Sequence, residues 1–166
     1  MKKYLLLVLC ALLLSSQAFA IGSVPISVWL GAGGGNFGLD GVAGADIGIS
    51  IPAIPTFYIE GESSGMLFPL GIANLTTSVN RLGIGFKFNI IGDAVKLRLS
   101  AGSATVNASN ITSWGSGEIK RNNLGTYISV GPEFSLLGFG AILKGTFTKI
   151  DAGMISEVNL SLLASF

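Results

Sequence analysis

From Leu82 onward, apolar side chains recur at every second position. Leu82, Ile84, Phe86, Phe88 and Ile90 share one parity, and Arg81, Gly83, Gly85, Lys87 and Asn89 share the other. A period of two belongs to a β-strand, whose successive side chains point to opposite faces. Gly92-Asp93 then marks a turn. Beyond it Val95, Leu97, Leu99 and Ala101 oppose Lys96, Arg98, Ser100 and Gly102. The segment predicts a hairpin with one wholly apolar face.

The alternation recurs along the chain. Ile26, Val28 and Leu30 oppose Ser27, Trp29 and Gly31; Ile47, Ile49 and Ile51 oppose Asp46, Gly48 and Ser50; Phe57 and Ile59 oppose Tyr58, Glu60 and Glu62. Ile128, Val130, Pro132 and Phe134 oppose Tyr127, Ser129, Gly131 and Glu133. Phe139, Ala141, Leu143 and Phe147 oppose Gly140, Lys144, Thr146 and Thr148. Val158, Leu160, Leu162, Ala164 and Phe166 oppose Glu157, Asn159, Ser161 and Ser165. Eight strands follow, at roughly 24–33, 41–51, 55–64, 78–91, 94–106, 122–134, 139–149 and 156–166. Five acids (Asp46, Glu60, Glu62, Glu133, Glu157) and five bases (Arg81, Lys87, Lys96, Arg98, Lys144) on them lie opposite the aliphatic row. A Lys or Arg on a lipid face at the bilayer midplane costs about 2–4 kcal/mol, whereas inside a narrow barrel it can pair with an acid. The ten are therefore the candidate charge network of a lumen.

Composition says which solvent the aliphatic row meets. Only 11% of the residues are charged and 49% are hydrophobic, against about 25% charged in an ordinary soluble domain. After residue 20 no run approaches the ~20 apolar residues of a membrane helix. The first twenty residues read as a cleaved signal peptide: Lys2 and Lys3, an apolar run over 4–14, and Ala18-Phe19-Ala20 before the cut. Leu9 stands where a lipobox has a small residue, so Cys10 reads as part of that run, and residues 21–166 hold no cysteine. Removing Lys2 and Lys3 from ten bases leaves eight against nine acids, a net of −1 that gives no basic face for nucleic acid. An exported, hydrophobic chain without helical spans points to an all-β fold: an eight-stranded antiparallel up-and-down transmembrane β-barrel over 21–166.

Connections after the second, fourth and sixth strands ("PAIP", "IIGD", "SLLG") are short, while those after the first, third, fifth and seventh include "GGGNFGLD", "GMLFPLGIANLTT" and "NASNITSWGSGEIKR". Short periplasmic turns and longer exterior loops are the outer-membrane pattern. Gly31, Gly48, Gly83, Gly85, Gly131 and Gly140 fall on the inward parity. They read as relief for tight curvature or as a cleared path through the lumen.

The last strand, "EVNLSLLASF", resembles the C-terminal assembly signature of bacterial outer-membrane barrels, carried here by Val158, Leu160, Leu162, Ala164 and Phe166. With the leader and eight strands, the chain resembles the small OmpX, OmpA-transmembrane-domain and OmpW type barrels. That resemblance implies recognition by the barrel assembly machinery, a place in the bacterial outer membrane, and contact with membrane lipid and lipopolysaccharide.

Catalytic motifs are thin. The chain has no histidine, which removes the usual general base of Ser-His hydrolases and a common metal ligand. Outer-membrane lipid A deacylases and palmitoyltransferases are similar in architecture but use a histidine. "GESSG" (61–65) matches G-x-S-x-G in form only, because that motif needs a strand-to-helix elbow; here it is expected to lead from a strand into a loop. Gly33, Gly35 and Gly38 match a dinucleotide fingerprint without the βαβ unit it requires, and read as an exterior loop. Glu60 and Glu62 share a face and are able to serve acid–base or cation chemistry, but they read as partners of the lumen bases. Asp40, Asp46 and Asp151 lack calcium-loop spacing. Four Asn-x-Ser/Thr sequons, at Asn74, Asn107, Asn110 and Asn159, read as coincidence. Phe37, Met66, Leu67, Phe68 and Trp114 are expected in exterior loops, as an interfacial girdle or a partner contact. Lys120-Arg121 is a small anion-facing pair.

The expectation is a non-enzymatic envelope protein with a structural or adhesive role, no cofactor and no metal. The alternatives are a narrow conduit for small solutes or hydrophobic compounds, and an exported soluble ligand-binding barrel, which requires the opposite parity.

Overall fold

The computed structural model describes residues 24–36, 38–50, 55–67, 76–108 and 123–166. They form eight strands: β1 Ile26–Gly35, β2 Gly38–Ile49, β3 Thr56–Leu67, β4 Thr76–Ile91, β5 Val95–Ala108, β6 Asn123–Leu136, β7 Phe139–Ile150 and β8 Gly153–Ser165. Each pairs antiparallel with its sequence neighbour, and β1 pairs with β8, so the sheet closes without an edge. The leader and most of the two longest connections, residues 68–75 and 109–122, lie outside the described residues. So do Phe37, Phe68 and Trp114, three of the five expected loop aromatics and hydrophobics, and the Lys120-Arg121 pair.

The register fixes the width of the barrel. Pro25 is hydrogen-bonded to Gly48 (2.8 Å), and the cross-strand row then runs through Tyr58, Gly85, Ser100, Ser129, Thr146 and Glu157 to Gly35. One circuit starts at position 25 and returns at 35, a shear of ten residues. With strands about 4.8 Å apart and a rise of about 3.3 Å per residue, this shear gives a tilt of roughly 40° and a radius of about 8 Å. Such an interior is just wide enough for side chains to fill.

The two faces separate as the parity predicts. Leu162 is 77% exposed, and Leu30, Leu82, Ile84, Ile128, Leu160 and many others on that face are also exposed. Every strand carries its buried side chains on the opposite face. A water-soluble barrel keeps its apolar face inside; here it is outside, so the soluble ligand-binding alternative has the wrong polarity. Outward Phe57, Phe86, Phe88, Phe134 and Phe139 gather toward the short-turn end, with Phe57 and Phe86 in edge-to-face contact at 5.5 Å.

Several sequence expectations are corrected. "GGGNFG" is not an exterior loop: Gly33, Gly34 and Gly35 end β1, and Gly38 begins β2. Glycines without Cβ make this possible, because β1 lies so close to β8 that a Cβ at Gly31 or Gly33 would overlap backbone of Leu160 or Val158. "GESSG" lies within β3 instead of leading into a loop, and Met66 and Leu67 also belong to that strand. β8 begins at Gly153, so β7 and β8 are joined by Asp151-Ala152 alone. Two of the four exterior connections are thus tight hairpins, and the long loops are confined to β3–β4 and β5–β6. Asn36 ties the first hairpin to β8, accepting from the Ser156 amide (3.0 Å) and donating to the Met154 carbonyl (2.9 Å).

Candidate functional site

Among the described residues, the lumen is the one place where polar and charged side chains concentrate, and it is filled in layers. At the exterior end the filling is apolar: Val79, Ala104, Val106, Ile150, Ala152 and Ile155 form a buried cluster with the Tyr127 ring. Ile155 is 1% exposed. Parity places these residues inward, but nothing in their local pattern announces that they meet one another across the axis.

Beneath them sits Arg81 of β4. It donates to Glu62 (3.0 Å), Ser64 (3.2 Å) and Thr148 (3.2 Å), and it pairs with Glu157 of β8. Lys144 of β7 pairs with Glu62 and lies 3.9 Å from Glu60. Toward the short-turn end sits Arg98 of β5. Its guanidinium reaches Asp46 (2.7 Å), Glu133 (2.9 Å) and Glu60 (3.3 Å), one carboxylate from each of three other strands. Lys87 of β4 donates to Asp46 (3.0 Å) and Ser27 (3.2 Å) and lies 3.7 Å from Glu133. Glu60 further accepts from the Tyr127 hydroxyl (2.9 Å) and from Ser100.

Nine of the ten lumen charges inferred from parity are thus buried in one continuous set of ion pairs. The tenth, Lys96, stands half-buried at the short-turn mouth, in a cavity of about 240 Å³ that Lys87, Asn89, Asp93 and Glu133 also line. Lys96 makes none of the ion pairs found among the described residues. An acid escaped the sequence reading. Asp40, expected in a loop, is 5% exposed on the inward face of β2. Its position became legible only once β2 was known to start at Gly38.

Aromatic rings complete the filling, and inward glycines make room for them. The Arg98 guanidinium lies between Trp29 and Tyr58, 4.7 Å from each ring. Lys144 stands 5.0 Å from Trp29, and Lys87 5.2 Å from Tyr58. A Cβ at Gly44 would strike the Trp29 ring, one at Gly85 the Tyr58 ring, and one at Gly83 the Tyr127 hydroxyl. These glycines do not clear a path: the space they leave is occupied by rings. Trp29, Tyr58 and Tyr127 keep their polar ends satisfied through Glu62, the Leu99 carbonyl and Glu60, which a buried Tyr or Trp requires.

The arrangement supplies charge neutralisation and packing. Among the described residues no group of three or more Asp, Glu, His or Cys is placed to hold a metal ion. Ser63 of "GESSG" points outward, away from every lumen carboxylate. Val158, Leu160 and Leu162 of the expected assembly signature are exposed on the outer face of β8, and Ala164 and Phe166 continue it at its end.

No protein-family model matches the chain, and no curated protein matches it in sequence. Solved structures do match. The N-terminal β-barrel domain of Pseudomonas aeruginosa OprF aligns with a TM-score of 0.64 at 14% identity, covering 88% of this chain and all of that one. Ail, the attachment invasion locus protein of Yersinia pestis, aligns at 0.63 and 13% identity over 87% of this chain and 99% of its own. The outer-membrane enzyme PagL aligns at 0.55 and 12% identity over 83% of this chain and 98% of its own. Such a likeness speaks for the fold and not for an activity, and these three differ in what they do. With a closed sheet that is apolar outside and ionised inside, the chain has the fold of the small eight-stranded transmembrane barrels of bacterial outer membranes.

Proposed function

We propose that this protein is a non-enzymatic barrel of the bacterial outer membrane, with a plugged lumen and a structural or surface-interaction role. The observation that carries the reading is the filled interior. Arg98, Glu60, Glu133, Glu157, Tyr58, Ile142 and Ile155 are each no more than 2% exposed, so side chains pack the lumen at each of these positions. Shape and chemistry are then presented at the ends, above all by the β3–β4 and β5–β6 connections, the longest on the exterior side. Absence of histidine and the placing of "GESSG" inside a strand support a non-catalytic role. Membrane lipid and lipopolysaccharide are the surrounding partners in this reading, and the outward row of β8 is the segment offered to the assembly machinery.

Planar-bilayer recording of the purified protein tests it. The expected trace is silent at applied voltages where open barrels conduct. Reproducible discrete openings in the unmodified protein, altered by Glu60→Gln, would replace this reading with the narrow-conduit one.

A further inference from the structure

The lumen acids and bases do not balance, and the imbalance is local. Toward the short-turn end Asp46, Glu60 and Glu133 face Lys87 and Arg98, with Lys96 at the mouth. In the exterior half, three carboxyls (Asp40, Glu62, Glu157) face two bases, Arg81 and Lys144. All five are buried. Among the described residues, the strands that complete the circuit add no compensating charge: β1 contributes Gly33 and Gly35, and β5 and β6 contribute Ala104, Val106 and Tyr127.

Geometry brings the surplus to one spot. Asp40 of β2 and Glu157 of β8 are separated in the sheet only by β1, whose inward positions 33 and 35 are glycine. With no side chain between them, the two buried carboxyls flank the same pair of glycines, Asp40 beside Gly33 and Glu157 beside Gly35. Glu157 already accepts from Ser64 (3.0 Å) and pairs with Arg81. Asp40 is met by the Asn159 amide, which with its nitrogen turned toward the acid donates to Oδ1 at 2.8 Å and Oδ2 at 3.3 Å. Thr146 faces Glu157 across the β7–β8 pair, and its hydroxyl is fully buried and makes no hydrogen bond among the described residues. Two carboxyl groups brought together across glycines inside a low-dielectric site resist ionising together, and a hydrogen bond between them needs a proton.

We propose that Asp40 and Glu157 form a buried proton-binding site near the exterior end of the lumen, holding one shared proton at neutral pH. The proton brings the exterior half to charge balance: two carboxylates against Arg81 and Lys144. Folding then takes up a proton that the unfolded chain does not hold at pH 7. Stability therefore falls as pH rises and the pair gives that proton up. The exterior half of the plug is the part that loosens.

Infrared difference spectroscopy and thermal unfolding of the full chain in lipid bilayers test the site. The unmodified protein is expected to show a protonated-carboxyl carbonyl band at pH 7, and its unfolding midpoint to drop between pH 6 and pH 9. Asp40→Asn is expected to lose the band and flatten the pH profile, since the remaining exterior charges balance. If Asp40→Asn does not insert, Glu157→Gln must lose the band for the same reason. No band at pH 7, a band that survives the substitution, or a midpoint that follows sodium or potassium concentration instead of pH each overturns the proposal. Dependence on an alkali cation would mean that a metal ion neutralises the pair.

Discussion

Arg98→Ala is the most informative single change. The guanidinium makes three ion pairs of 2.7 to 3.3 Å with Asp46, Glu60 and Glu133, and it separates the Trp29 and Tyr58 rings. Once it is gone, Asp46 and Glu133 retain Lys87 at 3.0 and 3.7 Å, and Glu60 retains Lys144 at 3.9 Å. Three buried carboxylates then share two ammonium groups, one of which is also the partner of Glu62. Removing one member of a buried ion pair costs about 3–5 kcal/mol, because the orphaned charge stays desolvated. Truncation also empties the slot between the two rings.

Arg98→Ala is therefore expected to lose about 3–5 kcal/mol in urea-driven unfolding from lipid bilayers. It is also expected to admit water to the central layer and raise cation leak across planar bilayers. Arg98→Lys keeps the charge but not the three-way fork or the ring stacking, and should fall between the two. The reasoning fails if Arg98→Ala costs less than about 1 kcal/mol, the scale of an exposed pair. Such a value would mean that the layer is already wet.

Two further outcomes follow from the packing. Gly44→Ala should destabilise by about 1–3 kcal/mol, because its Cβ falls on the Trp29 ring. In a Trp29→Leu background the same change should cost almost nothing, which a double-mutant cycle of unfolding energies measures. On the outer face, Ile84→Arg near mid-height should cost about 2–4 kcal/mol in bilayer unfolding, and Leu124→Arg at the exterior end of β6 under about 1 kcal/mol. Equal costs at the two sites would mean that the exposed row does not face hydrocarbon.

Strand number, pairing direction and the inside–outside assignment were legible because they rest on a period of two over six or more residues in every strand. Lys87 among Phe86 and Phe88, or Arg98 between Leu97 and Leu99, fixes its own direction without knowledge of any other strand. What parity does not carry is distance across the axis. It placed Glu60 and Arg98 on inward faces, but 38 residues separate them, and their 3.3 Å contact depends on the shear of the whole barrel. The glycines illustrate the same limit. An inward Gly83 or Gly85 leaves space, and only the fold shows that Tyr127 and Tyr58 take it. Hairpin ends were misread where composition outweighed period: "GGGNFG" looks like a loop until β1 is seen pressed against β8. Asp40 was lost with that misreading.

The ion pairs also bear on why this sheet does not close inside out. A one-residue slip in any strand exchanges its faces. For β4 that slip would carry Arg81 and Lys87 to the lipid side, and for β5 Arg98; at about 2–4 kcal/mol for each cation near the midplane, even one slipped strand is heavily penalised. The same charges in the correct register contribute little net stability, because desolvation offsets most of their attraction. A barrel filled only with aliphatic side chains would pack as well but would lose this discrimination, since both faces would then be equally at home in hydrocarbon. The lumen network therefore acts mainly on register, and the apolar cluster of Val79, Val106, Ile150 and Ile155 can occupy the exterior end because the charges below it have already fixed which face of β4, β5, β7 and β8 turns inward.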